Sequence, residues 1–147
     1  GAPITAYNRI SSDVIRVHSN IYDPDYVAVV DETLLHTVDV TAGLKPDGAI
    51  IVNTAKSKEE ILPQLNGYQG RIITIDARTI SEAALGRYFP NSPMLAAVVA
   101  ATKVMPKDVF LEEMKASYHH KFAKKPEVIE GNMKALEMTF AAVEKSC

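Results

Sequence analysis

The sequence predicts a single α/β domain: a mostly parallel sheet with a hairpin at one side and a helical C-terminal part. Three observations carry this expectation. The short apolar runs at residues 26–31, 49–54 and 71–77 are nearly continuous and reach polar residues at Asp31, Asn53-Thr54 and Asp76, as strands buried on both faces do. Ser57-Lys58-Glu59-Glu60 and Thr79-Ile80-Ser81-Glu82 follow the second and third runs, and a hydroxyl residue with Glu three positions on marks a capped helix start. Strands alternating with capped helices are parallel strands joined by crossovers. No linker or repeat divides the 147 residues, so one domain is expected over residues 1–147.

The elements follow in order. Residues 4–10 alternate and residues 14–18 are β-rich, with the turn formers Ser11, Ser12 and Asp13 between them; this predicts a β-hairpin. Asp23-Pro24 breaks the chain before the first parallel strand, and residues 32–37 form a short helical turn after it. Asp47-Gly48 turns into the second strand, while Pro63 shortens the helix capped by Ser57. Ser92-Pro93 reads as a cap followed by proline at the first helical position, opening a helix over 94–103 that is apolar on all sides and therefore buried. A further helix starts near Asp108 with Phe110, Met114 and Tyr118 on one face. The last starts near Glu127 and carries Ile129, Met133, Leu136, Phe140 and Val143 at spacings of three and four.

Composition excludes several functions. Net charge is −2, with 16 Lys and Arg against 18 Asp and Glu and no basic stripe, so nucleic acid is not an expected partner. The single cysteine, Cys147, cannot build a disulfide framework, a four-thiolate zinc site or an iron–sulfur cluster, and it reads as an ordinary reduced thiol. The longest apolar stretch, 94–101, is too short to span a bilayer, and no signal leader opens the chain; a cytoplasmic protein without membrane contact is expected. The four histidines fall in different elements, except His119 and His120, which diverge on a helix. No metal site and no catalytic residue are assigned.

Ligands of open parallel sheets bind beyond the carboxyl ends of the strands. Asn53 and Thr54 stand at such an end. Asn20 and Asn91 sit in polar segments among apolar neighbours, Ser19-Asn20-Ile21-Tyr22-Asp23 and Phe89-Pro90-Asn91-Ser92-Pro93-Met94-Leu95. These four residues are the candidates for a cofactor-facing or subunit-facing surface, with tight-loop stabilisation as the plain alternative. The glycines are isolated, and no strand leads into a dinucleotide fingerprint.

Five segments, in order, resemble one family. They are Gly1-Ala2-Pro3 with residues 4–10; Ser19-Asn20-Ile21-Tyr22-Asp23-Pro24-Asp25-Tyr26; Asp39-Val40-Thr41-Ala42-Gly43-Leu44-Lys45; Ile51-Val52-Asn53-Thr54; and Asn91-Ser92-Pro93-Met94-Leu95. Together they are similar to the gamma subunit, or gamma domain, of 2-oxoacid:ferredoxin oxidoreductases, the pyruvate type above all. The resemblance implies a Rossmann-like sheet. It also implies that this sequence lacks the strand and glycine-rich loop with which the family's domain normally begins. The implied complex oxidatively decarboxylates a 2-oxoacid with coenzyme A and ferredoxin to acyl-CoA and CO2. Alpha, beta and delta subunits would be the partners, with thiamine diphosphate in alpha and beta and iron–sulfur clusters in beta and delta. This chain would hold no cofactor, face coenzyme A, be inactive alone, and self-associate when isolated. The alternatives are a stand-alone nucleotide-binding α/β domain and a purely structural assembly subunit.

Overall fold

The computed structural model describes residues 1–146; Cys147, and with it the expectation of an ordinary thiol, lies outside them. Three strands, β1 (Tyr26–Val29), β2 (Ala49–Asn53) and β3 (Arg71–Ile75), form one parallel sheet in that order. Val27 pairs in register with Ile50, and Ile50 with Ile72. The 26–31, 49–54 and 71–77 runs are therefore adjacent parallel strands, as the sequence predicts.

The central strand shows why these residues choose this place. All five residues of β2 are buried, and side chains alternate between faces along a strand. Ile50 and Val52 pack with Val29, Leu35, Leu44, Ile61 and Leu65 on one side of the sheet. That side is covered by the 3-10 turn Glu32–His36, the short helix α1 (Lys58–Ile61) and the turn Leu62–Gln64. Ile51 faces the other way, into a cluster with Ile73, Ile75, Ile80, Met94, Ala97 and Val143. Helices α2 (Ala77–Leu85), α3 (Asn91–Thr102) and α5 (Pro126–Ser146) supply that layer. Burying each aliphatic side chain contributes about 1.5–3 kcal/mol.

Small residues let the helices approach. α3 buries Ala96, Ala97 and Ala101, and a Cβ on Gly131 of α5 would stand 2.8 Å from the Ala84 carbonyl oxygen of α2. Helix α4 (Lys107–Lys121) is fastened to α5 by Phe110 and Tyr118, with the Phe110 and Phe140 rings 5.7 Å apart. No helix among the described residues is long and apolar enough to cross a membrane.

Four expectations need correction. The hairpin over residues 4–18 does not form: residues 1–25 contain no strand, and only Ile15, Ile21 and Pro24 among them are even half-buried. An isolated two-stranded hairpin is marginal in water, and nothing packs on this one, since Ile4 is 89% and Ile10 74% exposed. The sheet is consequently all parallel. Second, only β2 is buried on both faces; β1 leaves Tyr26 and Ala28 exposed because it is an edge strand. Third, α2 opens at Ala77 with Asp76 as its cap, so Thr79 is an early helical residue that donates back to Asp76. Fourth, α3 opens at Asn91, three residues before the expected start, and Ser92 is not its cap. The Ser57–Glu60 capping box forms as read.

Candidate functional site

The carboxyl ends of the strands gather the polar side chains. Asn53, at the end of β2, is 8% exposed. Its Nδ2 donates to the Val30 carbonyl at 2.9 Å and to the Tyr88 hydroxyl at 3.2 Å, and its Oδ1 accepts from the Ala77 amide at 3.1 Å. One amide group thus ties together the exit of β1, the segment after α2 and the first residue of α2. The Tyr88 ring is covered by the Arg78 guanidinium, 4.1 Å above its centroid.

Thr54 continues the array. Its amide donates to the Ile75 carbonyl, and its hydroxyl donates to Glu32 Oε2 at 2.6 Å while accepting from the Lys56 amide at 3.1 Å. Lys56 Nζ lies 3.3 Å from the same carboxylate. The Thr54 hydroxyl is the largest influence on Glu32 and holds its carboxyl below the ordinary range; burial opposes this and Lys56 adds to it. A carboxylate stabilised in its charged form is a poor proton carrier near neutrality. Asp31 is lowered too, by the hydroxyl and then the amide of Thr33. The arrangement can hold a fixed polar surface and an ion pair, and it offers no activated nucleophile. No group of three or more His, Cys, Asp or Glu able to hold a metal occurs among the described residues.

The four candidate residues do not converge. Asn53 and Thr54 share the carboxyl end of the sheet. Asn91 is exposed at the start of α3, three residues after Tyr88. α3 runs back along the sheet, so that the Arg71 guanidinium at the start of β3 reaches the Ala101 carbonyl; Asn91 is thus on the carboxyl side. Asn20 is exposed on the approach to β1, where its carbonyl accepts from Arg9 at 3.4 Å. The nearby Tyr22 carbonyl lies against Gly43, where φ is +72° and a Cβ would overlap it. The segments at 19–23 and 91–94 therefore stand at opposite ends of the sheet, and the single surface expected of them is not formed.

Glu32, Lys56 and Tyr88 belong to the array although no motif marks them. A signal for Glu32 exists, an acid directly after the apolar run at residues 26–31. Ser92 is a second surprise: its hydroxyl donates to Asn132 Oδ1 at 2.7 Å and lies 2.7 Å from the Tyr118 hydroxyl. This buried trio joins α3, α4 and α5, and burial raises the Tyr118 phenol above its usual value, the bond to Ser92 acting the other way. His119 and His120 are both exposed.

The family described as pyruvate ferredoxin/flavodoxin oxidoreductase matches residues 1–142. The chain belongs to this family. It is 42% identical over 140 residues to the pyruvate/ketoisovalerate oxidoreductases common subunit gamma of Thermococcus kodakarensis, covering 95% of this chain and 72% of that one. It is 38% identical over 146 residues to pyruvate synthase subunit PorC of Thermotoga maritima, covering 99% and 74%. The crystal structure of the T. maritima pyruvate oxidoreductase subunit PORC superposes with a TM-score of 0.72 at 32% identity, over 83% of this chain and 65% of that one. The chain therefore spans about two thirds to three quarters of the length of these relatives. In this family member the parallel sheet and the helical layer share the fold of the solved subunit.

Proposed function

We propose that this chain is the gamma subunit, or gamma domain, of a cytoplasmic 2-oxoacid:ferredoxin oxidoreductase that converts pyruvate and coenzyme A to acetyl-CoA and CO2 while reducing ferredoxin. The observation that carries this reading is the family match along residues 1–142, with relatives named as gamma and PorC subunits at about 40% identity. In this reading the alpha, beta and delta subunits hold thiamine diphosphate and the iron–sulfur clusters and perform the redox chemistry. The chain supplies structure and a polar face toward coenzyme A or a neighbouring subunit. Thr54 and Asn91, on the carboxyl side of the sheet, belong to that face. Asn53 supports it from beneath, since its amide is engaged inside the fold. Asn20, at the other end, serves a separate subunit contact.

The test is co-expression with the other subunits, with and without this chain, followed by pyruvate-dependent dye reduction in the presence of coenzyme A. Activity should require the chain, and the chain alone should give none. A fully active complex assembled without it would overturn the reading. A thermal-shift comparison of coenzyme A with NAD and ATP adds a check on the ligand: a rise with NAD or ATP alone would point to a nucleotide-binding domain instead.

A further inference from the structure

The loop that leads into β3 contains Asn66-Gly67, and no other asparagine of the sequence is followed by glycine. Both residues are left-handed, with φ at +49° and +74°, and the Tyr68 amide donates to the Leu65 carbonyl at 2.9 Å across them. This is the geometry of a type I′ turn, for which Asn-Gly is a preferred pair.

Asparagine before glycine carries a latent reaction of its own. The Gly67 amide nitrogen can bond to Asn66 Cγ and close a five-membered succinimide. The bond from Cγ to Nδ2 then breaks, and ammonia leaves with the amide proton. Water opens the ring at either carbonyl and leaves aspartate or isoaspartate at position 66. One water enters, one ammonia departs, and nothing is oxidised. Glycine hinders the attack least, because its nitrogen stands beside no side chain.

The fold opposes this reaction in two ways. Ring closure requires rotation about the Cα–C bond of Asn66, out of the conformation that the turn holds. The carboxamide is also tied, its Nδ2 donating to Asp39 Oδ1 at 2.8 Å. Asp39 is itself fixed: the same oxygen accepts from the Thr41 amide at 3.0 Å and from the Thr41 hydroxyl at 2.7 Å. A charged acceptor makes the stronger hydrogen bond. A carboxamide that gives its N–H to a carboxylate is a poorer leaving group, and it must break that bond before it can swing toward Gly67.

We propose that Asn66 is a site of covalent modification, deamidated through the nitrogen of Gly67, and that the Asp39 carboxylate is the guard that slows the reaction. The product dismisses its own guard. An aspartate at position 66 sets a second carboxylate against Asp39 and undoes the tie between the loop before β2 and the turn before β3. The reaction needs no ligand or partner, and it stands whichever complex the chain enters.

The experiment ages the purified chain in mildly alkaline buffer and follows residue 66 by mass spectrometry of the tryptic fragment 59–71, with enzymatic methyl esterification to count isoaspartate. The synthetic fragment 59–71, which lacks Asp39, is the unguarded reference. The parent should convert at residue 66, and more slowly than the fragment. Asp39→Ala should convert about three- to tenfold faster than the parent, the change in rate that one lost hydrogen bond supplies. Thr41→Val loosens the same loop but leaves the tie to Asn66, and should age at the parental rate. Should Asp39→Ala fail to fold, Asp39→Asn keeps an acceptor for Thr41, takes the charge off the tie, and should accelerate in the same direction. Four results would overturn the proposal. They are no conversion at residue 66 in parent or variant, a parent as fast as the fragment, equal rates in the parent and the Asp39 variant, and an equal acceleration by Thr41→Val.

Discussion

Residues 4–10 and residues 49–53 are comparably suited to a strand by composition, yet one is bare and the other is the centre of the fold. Ile4 is 89% exposed and Ile51 is 0% exposed. The difference lies in neighbours. β2 has a strand on each side and a covering layer on each face, whereas the 4–10 segment has none of these. Strand propensity measures the fit of a side chain to a pleated, half-buried surface, and without that surface it decides little.

Matched substitutions in the two regions sharpen this comparison. The largest effect is expected at isoleucine. Ile51→Ala opens a cavity between the sheet and the helices α2, α3 and α5, and should cost about 2–5 kcal/mol in urea unfolding. Ile4→Ala should stay within about 0.5 kcal/mol of the parent, as exposed positions do. Equal losses at the two sites would mean that residues 1–25 are packed in solution. Asparagine comes next. Asn53→Ala leaves the Val30 carbonyl and the Ala77 amide without their partner, and should cost about 1–3 kcal/mol. Asn20→Ala, which removes an exposed side chain, should be silent in the same assay. If Asn53→Ala were also silent, the three-way tie at the carboxyl end would be incidental.

Tyrosine gives a smaller contrast. Tyr118→Phe removes one hydroxyl from the buried trio, but Ser92 keeps its bond to Asn132 and no buried group is orphaned. A loss of about 1 kcal/mol is expected, against none for Tyr7→Phe at a position 43% exposed. A calorimetric melting shift as large as that of Ile51→Ala would show that the hydroxyl organises the whole helical layer.

The same contrast explains what could be read in advance. The parallel order and the Ser57–Glu60 capping box were legible because continuous apolar runs and a four-residue cap are local patterns. The alternation at residues 4–18 is just as local, but a hairpin forms only where partners elsewhere cover it, and residues 1–25 contain no strand. Ser92-Pro93 imitates a helix start, but the destination of the Ser92 hydroxyl is set by Tyr118 and Asn132, 26 and 40 residues further on. Of the candidate site, Asn53 and Thr54 were legible as polar ends of a buried strand. Their use as a bracket for Val30, Ala77 and Glu32 was not, since each partner comes from a different element.

The smallest expected effect is the most discriminating for electrostatics. Glu32 carries a carboxyl held below its ordinary 4.5, first by the Thr54 hydroxyl, with burial opposing and Lys56 assisting. The folded state therefore binds this proton less readily than the unfolded chain. The resulting stability is fully present above the unfolded value, and it is lost as pH falls from there through the lowered folded value. Glu32→Gln cannot ionise, so the stability gap between parent and variant should be widest near neutrality and should close on acidification below about 4.5. With the Glu32 side chain 38% exposed, solvent screening limits the gap to about 1 kcal/mol or less. Asp31 and Asp39 are also lowered, the latter first by Thr41 and then by Asn66, so acid weakens the parent through them as well; subtracting the variant isolates Glu32. Urea midpoints at neutral, mildly acidic and strongly acidic pH measure the gap directly. A gap for Glu32→Gln that stays constant with pH would mean that the substitution acts through shape, and that the Thr54–Glu32–Lys56 array does not hold its charge in solution.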